Sequence, residues 1–126
     1  MPIQRRLVGD ALRFDLTEET RRASDAETIA RTGRSARTLL KDGPLRATLI
    51  VLGPGGDIPE HQTEGPITIH VLRGGLRVHV EGIDYELGTG DLLSIGTGAS
   101  HSLLSDGGAA LLLTVAFEPG RGGSGP

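Results

Sequence analysis

The chain has 126 residues, a formal net charge of −3, no cysteine, no tryptophan, two phenylalanines and one tyrosine. That length suits one domain around one core, and a core so poor in aromatic rings must be filled by Leu, Ile, Val and Ala. Disulfides and thiolate metal sites are excluded, and no apolar run reaches membrane-spanning length, so a cytoplasmic protein with no membrane partner is expected in the absence of a charged-then-apolar leader.

Charge is unevenly spread. Residues 1–46 hold ten Arg or Lys against seven acids, and residues 47–126 hold three against nine. The arginines Arg21, Arg22, Arg31, Arg34 and Arg37 are interleaved with Glu18, Glu19, Asp25 and Glu27 and lack stacking aromatics. They read as a solvated face, and no nucleic-acid partner is expected.

In chain order, Thr17 followed by Glu18 and Glu19 predicts a helix start, and Gly33 its stop, giving one short helix over 17–31 within an otherwise irregular N-terminal arm, residues 1–35. Ala36–Lys41 and Leu45–Leu52 read as strands about the Asp42-Gly43-Pro44 turn. Gly53-Pro54-Gly55-Gly56 has neither the lysine of a phosphate loop nor a helix after it, and reads as a turn. Ile67–Leu72 and Leu76–Val80 alternate strictly and are joined across Arg73-Gly74-Gly75, which predicts a hairpin. One face carries Ile67, Ile69, Val71, Leu76, Val78 and Val80; the other carries Thr68, His70, Arg77 and His79. The wholly apolar set marks the buried side, so His70 and His79 are expected to point outward and to come diagonally close. Ile83–Leu87, Asp91–Ile95, His101–Leu104 and Ala109–Phe117 continue the series between glycine turns, the pattern of an all-β sandwich or barrel over 36–118. The Gly, Ser and Pro tail from 119 to 126 is expected to be disordered.

Two glycine-punctuated segments carry one histidine each. Gly55, His61 and Gly74, the last inside Val71-Leu72-Arg73-Gly74, match the frame G-x5-H-x-H-x3-4-E-x6-G, with Thr63 at the second histidine and Ile67 at the glutamate. Gly90, Gly98 and His101 match G-x5-P-x-G-x2-H-x3-N, with Gly96 for the proline and Ser105 for the asparagine. Over about residues 45–117 the chain resembles the cupin superfamily of small, RmlC-like jelly-roll barrels. The resemblance implies a single-domain jelly-roll β-barrel, with His61 and His101 at two of four usual metal-ligand positions inside the barrel mouth. It also implies a homodimer, through sheet faces and N-terminal segments.

Three functions follow from these residues. The leading one is a barrel that binds a small organic ligand in its interior pocket, with His61 and His101 as polar anchors among residues such as Ile67, Ile69 and Val78. The second is a dioxygenase- or isomerase-type enzyme in which His61 and His101 hold Fe, Mn, Ni or Zn; a catalytic site of that kind usually needs three protein ligands, and the resemblance supplies two. The third is a non-catalytic dimeric interaction module using the outer hairpin face. Ser94, Ser100, Ser102 and Ser105 surround His101 without the order or the elbow of a serine nucleophile.

Overall fold

A computed structural model describes residues 5–117, so the expected tail disorder lies outside the described residues. Two helices, α1 (Leu16–Ala23) and α2 (Ala26–Thr32), precede nine strands: β1 (Arg34–Asp42), β2 (Leu45–Leu52), β3 (Gly56–His61), β4 (Ile67–Gly74), β5 (Leu76–Val80), β6 (Ile83–Leu87), β7 (Leu92–Ile95), β8 (His101–Ser105) and β9 (Ala109–Ala116).

The single helix expected over 17–31 is two helices, because two aspartates cap in succession. The Asp15 carboxylate accepts from the Thr17 and Glu18 amides at 3.1 and 3.2 Å. Asp25, in extended backbone, does the same for Glu27 and Thr28. A residue held in the capping conformation cannot continue the preceding helix, so the chain breaks at Ser24-Asp25. Gly33 ends α2 in the left-handed conformation at φ 86°, as its position predicts.

The strands form two antiparallel sheets, in the orders β1-β2-β9-β4-β7 and β3-β8-β5-β6. No described strand is paired in both, so the expected barrel takes the form of an open jelly-roll sandwich. Ile50, Leu52, Ile67, Ile69, Val71, Leu76, Val78, Leu103 and Leu111 fill the space between the sheets. A second cluster, Ala23, Leu39, Leu49, Val51 and Ala110, lies where the helices cover the outer face of the five-stranded sheet. Leu49 and Val51 face the helices while Ile50 and Leu52 face the interior. That double burial is why Leu49–Leu52 is an unbroken apolar run where neighbouring strands alternate. Glu19, only 8 % exposed, is paired at 2.6 Å with Arg37 of β1, which pins α1 to the sheet it covers.

The alternating segments 67–72 and 76–80 bury the side expected of them: Ile67, Ile69, Val71, Leu76 and Val78 are at most 2 % exposed. They do not pair with each other. β4 lies between β9 and β7, and β5 lies between β8 and β6. At Gly74-Gly75 the chain therefore crosses from one sheet to the other. Gly74 stands at φ +77°, with the Gly108 carbonyl where a Cβ would be. Period two fixes which residues share a face and leaves the partner strand open, so the face assignment survives and the hairpin does not. The strand β3, which carries His61, includes Pro59; proline is tolerated there since β3 is the edge of its sheet and is bulged at that point.

Candidate functional site

The site is built on the β3–β8 pair. Ile58 stands opposite Leu103 and His61 opposite His101, so three steps on β3 match two on β8. The extra residue is a β-bulge at Pro59-Glu60, and it restores His61 to the same side as Ile58. Without it, strict alternation would place Ile58 and His61 on opposite faces. The bulge brings His61 and His101 side by side, ring centroids 4.2 Å apart and planes inclined at 59°.

Each ring is fixed in the same way by its own strand. His61 Nδ1 lies 3.0 Å from the Pro59 carbonyl, and His101 Nδ1 lies 2.9 Å from the Ala99 carbonyl. A carbonyl oxygen only accepts, so both Nδ1 atoms carry the proton, and in the neutral ring Nε2 keeps a lone pair. His101 is 1 % exposed. Burial holds its pKa below the ordinary histidine value, against the opposing effect of the Ala99 carbonyl and with a lesser contribution from a charge on His61. His61 is exposed at the rim.

A clamp that the motifs gave no hint of holds the entry to β8. Ser100 Oγ donates to Glu60 at 2.7 Å, and the Ser100 amide donates to Glu81 at 2.6 Å. The Glu81 amide returns a bond to the Ser100 carbonyl at 3.1 Å. Glu81 is the one non-glycine described residue with positive φ, 45°, followed by Gly82 at 84°. Together they form the tight two-residue turn between β5 and β6, where Val80 faces Ile83. The Glu81-Gly82 dipeptide between two alternating runs was the available signal for the turn; nothing local pointed to its carboxylate reaching Ser100. Across from this clamp, Thr63 donates to the Gly65 carbonyl at 2.7 Å, and the Gly98 amide donates to the Thr63 carbonyl at 3.1 Å, tying the loops that frame the histidines.

The other candidate residues lie as follows. Ile67, Ile69 and Val78 belong to the close-packed core at 2, 0 and 0 % exposure. Val80, opposite His101, and Ile58, beside the bulge, are only partly buried and are the apolar side chains nearest the pair in register. His70 and His79 are separated: His70 is half-buried on β4 of the five-stranded sheet, and His79 is exposed on β5 of the other, so the expected diagonal approach does not occur. His79 Nδ1 is 2.6 Å from the Asp84 carboxylate, beside an Arg77–Glu86 pair at 2.5 Å. Ser102 stands across from His79 in the same row without a hydrogen bond to it, and Ser105 donates to the Gly75 carbonyl. A groove of about 630 Å³, with Leu16, Thr20, Leu72 and Arg73 in its walls, runs between α1 and the end of β4 and contains no histidine.

A metal ion is not well served by this arrangement. Thr63 spends its hydroxyl proton on Gly65, Ile67 is an alkyl chain in the core, and no group of three or more His, Asp or Glu side chains converges among the described residues. Two imidazole nitrogens fall one short of the three protein ligands a catalytic centre normally has.

Residues 48–117 match the family model described as the cupin domain. The solved structures similar to this chain include a conserved protein of unknown function from Streptococcus pyogenes, at 21 % identity and a TM-score of 0.72, covering 93 % of this chain and 96 % of that one. A salicylate 1,2-dioxygenase from Pseudaminobacter salicylatoxidans superposes at a TM-score of 0.70 and 18 % identity over 79 % of this chain and 33 % of its own. An RmlC-like cupin from Shewanella frigidimarina does so at 0.66 and 21 % over 71 % and 80 %. No curated protein matches the sequence. With a family match that spans most of the sandwich and the two motif histidines side by side within it, the chain belongs to the cupin family.

Proposed function

We propose that this cupin binds a small organic molecule at the open end of its sandwich, between His61 and His101. The observation that carries the reading is the paired orientation of the rings: both Nδ1 atoms are committed to backbone carbonyls, which leaves Nε2 of each ring for a guest. Val80 and Ile58 supply apolar surface beside those polar anchors, the usual composition of a small-molecule site. A dioxygenase- or isomerase-type route would call for a third metal ligand or for an acid or base set against the pair, and the nearby Glu60 and Glu81 carboxylates are engaged with Ser100.

The test combines elemental analysis of untagged protein with an NMR fragment screen that follows the histidine ring signals. Metal-free protein whose His61 and His101 resonances move with fragments supports the reading. Near-stoichiometric Fe, Mn, Ni or Zn that disappears in the His61→Ala, His101→Ala double variant would overturn it in favour of a metal enzyme. A homodimer is part of the same proposal. Leu92, 65 % exposed beside His70 on the outer face of the five-stranded sheet, supports it, and a monomer by light scattering at micromolar concentration would remove it.

A further inference from the structure

We infer that Arg46 is the anion-binding residue of the mouth and that the guest is a small carboxylic acid, its carboxylate on the Arg46 guanidinium and its apolar body toward His61 and His101. The inference rests on the ligand-binding reading and narrows it to a chemical class. Topology places the arginine. β2 joins β3 through residues 53–55, β4 joins β5 at Gly75 and β8 joins β9 through residues 106–108, all at the end of the sandwich away from the histidines. Such short links, with the strand orders β2-β9-β4 and β3-β8-β5, set β2 across the core from β3, β9 across from β8 and β4 across from β5. The opposite end is bridged by residues 62–66, from His61 to Ile67, and by 96–100, from Ile95 to His101. Arg46 pairs with Val115, which pairs with Ile67, and both of these belong to the interior cluster, so Arg46 shares their inward face. It therefore stands across the mouth from His61, on sheets about 10 Å apart.

The surroundings of Arg46 call for an anion. The residue is half-buried, its Nε is buried without a hydrogen-bond partner, and among the described residues no carboxylate forms an ion pair with it. The guanidinium lies over the Phe117 ring, 5.1 Å from its centroid. A ring face attracts a cation and leaves the N–H fork open. Arginine keeps its charge throughout the physiological range, and a cation drawn partly out of water without a counter-charge is costly. A carboxylate offsets that cost by taking two parallel N–H groups of the planar fork. Phe117, Val115, Ile67 and Val80 supply apolar surface for the rest of the molecule. One guanidinium matches the single charge of a carboxylate; the second charge of a phosphate monoester would find no Arg or Lys in 56–66 or 96–105, the segments that carry the histidines.

The experiment titrates benzoate, benzamide and phenyl phosphate, which share one ring, into protein with ¹⁵N-labelled arginine and histidine, observing the Arg46 Nε–H signal, the histidine ring nitrogens and the binding isotherm. Benzoate should move the Arg46 signal together with the rings of His61 and His101, and should bind at least about tenfold more tightly than benzamide. Arg46→Gln should bring benzoate down to the level of benzamide, and Arg46→Lys, which keeps the charge without the fork, should restore part of the difference. Should Arg46→Gln fail to fold in a urea titration, the wild-type comparison and Arg46→Lys still carry the test. Equal binding of benzoate and benzamide at the histidine rings would overturn the inference and leave the ligand-binding reading standing, as would a benzoate preference that survives in Arg46→Gln. Tighter binding of phenyl phosphate than of benzoate would overturn the assignment to a carboxylate. If benzoate moves neither Arg46 nor the rings, the inference also fails; fragment hits at those rings would then keep the broader reading alive, and a blank screen would end it.

Discussion

The two pairs of histidines in this chain were treated oppositely by the fold. His61 and His101, forty residues apart in sequence, meet with their rings 4.2 Å apart and their Nδ1 protons tied to backbone carbonyls. His70 and His79, nine residues apart on adjacent alternating runs, are carried to different sheets, and His79 turns to the Asp84 carboxylate. A carbonyl partner on Nδ1 fixes which ring nitrogen carries the proton and leaves Nε2 for another partner, whereas His79 spends Nδ1 on an exposed carboxylate. The contrast shows that proximity in sequence and outward parity say little about which histidines share a task.

The comparison breaks hardest at the buried ring. His101→Ala should lower unfolding free energy by about 2–4 kcal/mol, through the cavity left at a 1 % exposed position, and should abolish binding at the pair; urea titration and the ring-signal screen read both effects. If stability drops by less than about 1 kcal/mol, the ring is not part of the packed interior.

Next comes pH. Burial lowers the folded-state pKa of His101 below the ordinary value of 6.5, so as pH falls through 6.5 the unfolded chain takes up a proton that the folded chain refuses. The stabilisation is complete above 6.5 and is lost as pH falls toward the lower folded pKa. Wild type should therefore lose more stability between pH 7.5 and 5 than His101→Gln does, and parallel curves for the two would contradict the assignment.

Smaller effects should come from the clamp. Glu81→Ala removes the acceptor of the Ser100 amide and should cost about 1 kcal/mol, with a weaker response of the His101 ring to ligand because the entry to β8 loosens. Smallest of all should be His79→Ala. Its partner Asp84 is 57 % exposed, so the change should cost less than about 1 kcal/mol and leave ligand binding at His61 and His101 untouched. A large binding defect in that variant would mean that the outer face is coupled to the mouth.

Much of the fold was legible because it depends on local patterns. The alternation of Ile67, Ile69, Val71, Leu76 and Val78 named the interior, and the glycine spacing around His61 and His101 named the frame of the family. What was not legible depended on one residue acting against its segment. Asp25 split a helix that the charge pattern left continuous, and β3, with Pro59 inside it and too few apolar residues to alternate, did not stand out among the strands. For the site, the motif positions found both histidines, but Glu60, Glu81 and Ser100 were invisible as a unit, since their bonds join residues nineteen and forty positions apart.

The sequence by itself determined which side chains turn inward, where the chain must turn, and that Thr63 and Ile67 stand at two of the four positions where the family usually has metal ligands. Those are properties of period, of glycine backbone freedom and of residue chemistry, and each is settled within a few positions of the chain. Only the tertiary structure decided that β4 and β5 part company at Gly74-Gly75, that the helices cover the five-stranded sheet, and that a bulge at Pro59-Glu60 swings His61 onto the face of His101. Strand partnership and register are non-local choices: every antiparallel pairing offers similar backbone bonds, so the one adopted is the one that buries both apolar faces at once.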